Sequence, residues 1–270
     1  MLEILQLQFM QRALIAGVLV GSTLALLGVY VVLRKSAFFG DAIAYFAFAG
    51  IALGFLLAVN PIIAAIFISL VLALGIGFIQ NRTPLHSLDT LIGIFFSGAA
   101  ALGIFIIGLL RGYRVDLFQF LFGDIIAVSS GDVILAIIIS LAVMGVFLLA
   151  WKPFFKITFN REIARVAGVR VSLYDYLFLA LLAVITAISI KIVGIILVPA
   201  LLVIPAATAK NVSKNLHQMF VYSAIFSSVS VIGGLVTSFY TNTASGATIV
   251  LISIALFVLT LIIKNKMSRS

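Results

Sequence analysis

Long apolar runs separated by short polar punctuation dominate the chain. The first extends from Arg12 to Leu33, 22 residues. At 1.5 Å rise per residue that is enough to cross a hydrocarbon layer of roughly 30 Å. A second follows Arg34-Lys35 and reaches Val59, where Asn60-Pro61 makes a tight turn, and a third continues to Phe78. The fourth covers Asp89 to Leu110, the fifth Val133 to Trp151 and the sixth Leu173 to Ile190. The seventh covers Ile192 to Ala209, the eighth Leu216 to Tyr240 and the ninth Gly246 to Ile263. Met1 to Gln11 reads as an interfacial lead-in, with no small-residue cleavage site after the first run and so no cleaved leader expected. Between Arg111 and Asp132, the apolar piece Val115 to Val128 is too short to cross and reads as a re-entrant or surface helix. The pattern predicts an all-α polytopic transmembrane bundle of about nine spans, with eight as the other count, in a single membrane domain over 1–270.

Charge fixes the direction of threading. With nine spans, Arg12, Arg111, Arg114 and Lys191 fall on one side, and the remaining thirteen of the 17 lysines and arginines fall on the other. Cations gather in cytoplasmic loops, so the C-terminus is expected inside and the N-terminus outside. One missed or extra span would scramble every loop downstream of it. The net charge of +9 is thereby explained as topology determinants and lipid-facing anchors, and nucleic acid is not an expected partner. Only 9% of residues are charged and 64% are hydrophobic. Soluble domains carry about 25% charged residues, and no polar stretch here is long enough to fold alone.

Chemistry is sparse. Cysteine is absent, which excludes disulfides and thiolate metal sites, and the two histidines, His86 and His217, fall at cytoplasmic loop ends as solvated residues. No G-x-x-x-x-G-K-[ST] phosphate loop occurs, so the chain has no ATPase of that kind. Asp41, carried from Arg34-Lys35 into the second apolar run, stands out. An ionisable group there costs several kcal/mol unless it faces a polar cavity or finds a partner. It reads either as an N-terminal acid favoured by the helix dipole and the neighbouring cations or as a pore-facing carboxylate for a divalent cation. Tyr45 lies one turn on, on the same face. Asp116, Asp124 and Asp132 would form an acidic external mouth; Asp116 and Asp132 read otherwise as helix caps, as does Asp89. Glu3 and Asp175 read as interfacial and uninformative, and Lys191 as an external side chain with a snorkelling stem. Pro199 and Pro205 predict a kink or break in the seventh span. Gly17-x-x-x-Gly21 suits close helix packing. In Phe159 to Val171, FNREIARVAGVRV, the spacing predicts a short helix ended by Gly168 as a C-cap.

The ordered set GVYVVLRKSAFFGDAIAYFAFAG, LFGDIIAVS, VGIILVPALLVIPAATAK and SGATIVL resembles the permease subunit of the ABC-3 family. So does the acidic-x-Ala-x-x-x-Gly arrangement of Glu162, Ala164 and Gly168. Members import zinc, manganese or iron. The resemblance implies a fold similar to the vitamin B12 and siderophore importer permeases, in a prokaryotic plasma membrane. It implies a homodimer working with a cytoplasmic ATPase and an extracytoplasmic metal-binding protein. The metal would be a transported substrate, with no permanently bound cofactor. By the same resemblance, Glu162, Ala164 and Gly168 belong to a coupling helix, residues 159–171, seated on the ATPase. Asp41, Tyr45 and Asp124 become candidates along the metal path. Where the family reads Asp-Ala-x-Ser-His, this chain reads Asp-Ala-Ile-Ala-Tyr, so Ala44 and Tyr45 replace serine and histidine, and Ala49 replaces a proline. Losing imidazole while keeping oxygen tilts such a site toward harder ions. A B12- or siderophore-type permease is the first alternative, and Asp41 speaks against its less charged path. An ATP-independent carrier is the second, and it usually holds several mid-membrane ionisable groups.

Overall fold

The computed structural model describes residues 7–82, 88–110 and 128–267. Among them are eleven helices and no strand. They are α1 (Gln8–Leu33), α2 (Phe38–Leu56), α3 (Pro61–Arg82), α4 (Leu88–Leu109), α5 (Ser130–Leu149), α6 (Trp151–Phe159), α7 (Arg161–Val166), α8 (Val171–Val193), α9 (Leu197–Val212), α10 (Leu216–Thr241) and α11 (Ser245–Met267). Eight of these, α1 to α5 with α8, α10 and α11, are long and apolar enough to cross a membrane. The remaining apolar run, the seventh in chain order, forms α9, only 16 residues long.

Three boundaries differ from the sequence expectation. The fifth run stops at Leu149, and Trp151 opens the separate short helix α6 in what reads as a polar segment. Lys191 lies inside α8 rather than in a loop after it. The break before α9 comes at Gly194, whose φ of 90° suits a residue without Cβ. It does not come from the prolines. Pro199 is the third residue of α9, where a missing N–H has no intrahelical acceptor to lose. Pro205 is interior and removes one ladder bond, yet the helix continues to Val212.

Two compact units divide the described chain. One comprises residues 33–82, 88–110 and 139–188. At its centre is α2, with 72% of its spanning window buried against 28% for α3 and for α4, which both pack on it. Small residues permit this: a Cβ on Gly50 would lie 2.6 Å from Ala65 Cα, and one on Gly103 of α4 would lie 2.7 Å from the Phe48 ring. Because lipid is as apolar as the core, close backbone approach is what drives helix pairing there. Ser69 on α3 donates to Ala65 O at 2.7 Å and to Ala183 O of α8 at 3.4 Å.

The other unit comprises residues 7–32, 128–138 and 189–267. Within it α9, α10 and α11 pack on one another. The end of α1 that follows Gly21 joins them through Ser223, whose hydroxyl donates to Ala25 O at 2.8 Å, and through a 3.2 Å Ser22–Ser228 hydroxyl pair. Gly21 does make the close packing expected of it, against Ser227 and Val231 of α10. The tightest approach lies two turns further, at Gly28, against the Leu202 carbonyl of α9.

Candidate functional site

Asp41 sits in the first turn of α2, and Tyr45 follows one turn later; both are half-buried on a helix whose next residues are almost all buried. The N-cap, Ala37, supplies no side-chain bond; the N–H groups of Phe39 and Gly40 reach Ser36 O and Ala37 O at 3.0 and 3.3 Å, and the Asp41 charge is favoured at the positive end of the helix dipole. Among the described residues Asp41 makes no hydrogen bond or ion pair. Arg34, seven residues earlier, donates from Nη2 to Asp175 Oδ1 at 2.6 Å. The Tyr45 ring meets Phe96 of α4 edge-on, centroids 4.7 Å apart at 73°, and Phe48 at 6.4 Å. An aromatic wall and one carboxylate thus share a helical face. No group of three or more metal-ligating side chains exists among the described residues. The arrangement suits brief contact with a cation rather than a closed cage.

The segment 159–171 is built from short-range signals. Asn160 caps α7 by accepting from the N–H groups of Glu162 and Ile163 at 2.9 and 3.0 Å. At the other end Gly168, φ 78°, closes a Schellman turn. Its N–H reaches Arg165 O, and the N–H of Val169 reaches Ala164 O at 3.0 Å. Ala164 is fully buried with Ile157 and Val171, while Glu162 is exposed. Phe154 on α6 anchors this small core, stacked on Phe147 at 5.3 Å and edge-on to Tyr174 and Phe178 of α8. Opposite that anchored face, Phe159 is 82%, Ile163 63% and Val166 91% exposed. A six-residue helix cannot hold itself in water, so caps and core fix its pose. Gly168→Ala meets no described atom within 4 Å, yet it places a side chain in the left-handed region at a cost of about 1–2 kcal/mol. Faster hydrogen exchange at the Gly168 and Val169 amides is the expected result, with little change in the spans. Unchanged exchange would show that the turn tolerates a Cβ.

Asp175, which reads from the sequence as interfacial and uninformative, is the most heavily engaged carboxylate among the described residues of this unit. From the first turns of α8 it accepts from Arg34 on Oδ1 and from Arg161 of α7 on Oδ2, each at 2.6 Å, with its side chain 12% exposed. No local signal marks it, since one partner lies 141 positions away. Position was the only clue: an acid at the start of an apolar run with cations across the same polar boundary.

In the other unit the N-cap of α5 is Ser129 rather than the expected Asp132, which lies third in the helix and closes a capping box on it. Asp132 Oδ2 accepts from the Ser129 hydroxyl at 2.7 Å, and the Asp132 N–H donates back to Ser129 Oγ at 3.2 Å. Lys191, expected to snorkel, donates instead to Asp132 Oδ1 at 2.5 Å. His217 is exposed in the first turn of α10. Asp116, Asp124 and His86 lie outside the described residues, as does the side chain of Asp89.

The chain as a whole is similar to known membrane transport proteins. The family model described as the ABC 3 transport family matches residues 6–264. The chain is 37% identical over 255 residues to the high-affinity zinc uptake system membrane protein ZnuB of Haemophilus influenzae, covering 94% of this chain and 97% of that one. It is also 37% identical over 254 residues to the manganese transport system membrane protein MntC of Listeria monocytogenes, covering 94% and 90%. Among solved structures, a chain of PsaBC from Streptococcus pneumoniae in complex with Fab superposes with a TM-score of 0.86 at 33% identity, covering 96% of this chain and 93% of that one. With a family model matched from end to end of its membrane helices and relatives above 30% identity over nearly its whole length, the chain belongs to the ABC 3 transport family.

Proposed function

We propose that this chain is the permease through which an ATP-driven importer passes a divalent metal ion, zinc, manganese or iron, across a prokaryotic plasma membrane. Two copies form the path, a cytoplasmic ABC ATPase supplies hydrolysis, and an extracytoplasmic binding protein delivers the ion. The carrying observation is Asp41: a half-buried carboxylate without a partner among the described residues, on the most buried span, in a chain whose full-length relatives are named for zinc and manganese. No described residue balances that charge, whereas a passing cation would. A site weak enough to release its ion is what conduction requires.

In this reading Tyr45 lines the same path and Asp124 belongs to its external mouth. The 159–171 segment, with Glu162 and Gly168 framing buried Ala164, docks on the ATPase through Phe159, Ile163 and Val166. An apolar face this exposed, set among cations on the cation-rich side, fits a protein partner better than water. The test is uptake of Zn²⁺, Mn²⁺ and Fe²⁺ into vesicles holding the permease with its co-purifying ATPase. Uptake of at least one ion that needs both ATP and the ATPase is the expected result. Undiminished uptake after the ATPase is removed would overturn the importer reading.

A further inference from the structure

Arg34, Asp175 and Arg161 form a three-membered ionic bridge that joins α7, the start of α8 and the corner before α2. Asp175 offers one oxygen to each arginine, both at 2.6 Å. Arg161 is the first residue of α7, and Arg34 lies in the corner that leads, seven positions on, to Asp41 in α2. In that corner Lys35 sits at φ 57° and Ser36 donates to Arg34 O at 3.2 Å. A side chain 12% exposed, with both arginines on it, satisfies a carboxylate that burial would otherwise penalise. Planar guanidinium groups hold such contacts directionally.

We propose that Asp175 is a positioning residue that carries displacement of α7 to the α1–α2 corner, and so sets the pose of the first turn of α2 during transport. The proposal rests on the docking of α7 against the ATPase described above. Movement of Arg161 with its helix draws the shared carboxylate, and the carboxylate draws Arg34. Because one oxygen serves each arginine, neither contact need break for the other to follow.

The test uses the permease with its co-purifying ATPase in vesicles, measuring complex assembly, ATP hydrolysis and Mn²⁺ and Zn²⁺ uptake on the same preparations. Asp175→Asn is expected to keep assembly and hydrolysis within about twofold of wild type while ions moved per ATP fall by about tenfold, the upper part of the range for residues that modulate coupling. Arg34→Gln, which leaves the Arg161–Asp175 contact in place, is expected to give the same fall, and Asp175→Glu to restore most of it. Unchanged ions per ATP in either neutralised variant would overturn the proposal. So would loss of the ATPase from the Asp175→Asn complex with Arg34→Gln behaving as wild type, since Asp175 would then only brace α7. Wild-type vesicles with no ATP-dependent uptake would instead sink the importer reading itself.

Discussion

Gly28→Ala is expected to leave little folded protein. A Cβ on Gly28 would lie 1.7 Å from the Leu202 carbonyl oxygen and 2.8 Å from its carbon. These are backbone atoms of α9, so no side chain can rotate aside, and α1 and α9 must separate. Helix propensity works the other way, since alanine exceeds glycine by about 1 kcal/mol in a helix interior. Overpacking costs typically about 1–3 kcal/mol and occasionally more, and a rigid backbone acceptor at this distance belongs at or above the top of that range. A shift of α1 away from α9 would also strain the Ser223–Ala25 hydrogen bond and the Ser22–Ser228 pair, which tie α1 to α10. The measurement is the monodisperse fraction and thermal midpoint in detergent. Gly75→Ala is the control: no described atom lies within 4 Å of its Cβ position, so propensity alone should act and the midpoint should hold or rise. Equal midpoints for the two variants would contradict the close α1–α9 contact.

That contrast explains what could be read from residues alone. Every described apolar run became a helix because continuous hydrophobicity at bilayer length is a strong and local signal. The α7 turn was legible for the same reason, as Gly168 and the residues it closes over are neighbours in sequence. Hydropathy is silent on which span is central, because a lipid-facing residue and a buried one are equally apolar. Residue size carries that information: α2, with 72% of its window buried, is rich in alanine and glycine. Gly17-x-x-x-Gly21 pointed to the right helix and stopped two turns short of Gly28. Asp175 was illegible because its function in the fold depends on partners 141 and 14 positions away. The seventh run does break, but at Gly194 rather than at a proline. A proline breaks a helix only where a ladder bond is due, and Pro199 falls in the first turn of α9.

Asp41→Ala is expected to lower metal uptake by about tenfold or more, since even the outer partners of metal ligands cost 10–100-fold when removed. Stability separates this from a folding defect. A half-buried carboxylate without a partner among the described residues weighs against the fold, while its place in the first turn returns only about 0.3–1 kcal/mol through the helix dipole. Alanine removes both contributions and forms helix more readily. The thermal midpoint should therefore stay level or rise while transport falls, which is the signature of a residue kept for function at a cost to stability. Tyr45→His tests the other half of the site. It gives up an edge contact with Phe96 worth about 0.5–1.5 kcal/mol and sets an imidazole one helical turn from Asp41. Imidazole suits zinc, while oxygen ligands suit manganese, so the zinc-to-manganese uptake ratio should rise severalfold, with slower release of zinc. Wild-type uptake in Asp41→Ala would remove Asp41 from the path, and an unchanged ion ratio in Tyr45→His would place Tyr45 outside it. Together the two variants decide whether this face of α2 touches the ion, because a change in the ion ratio, unlike a fall in total uptake, does not follow from weaker coupling to the ATPase.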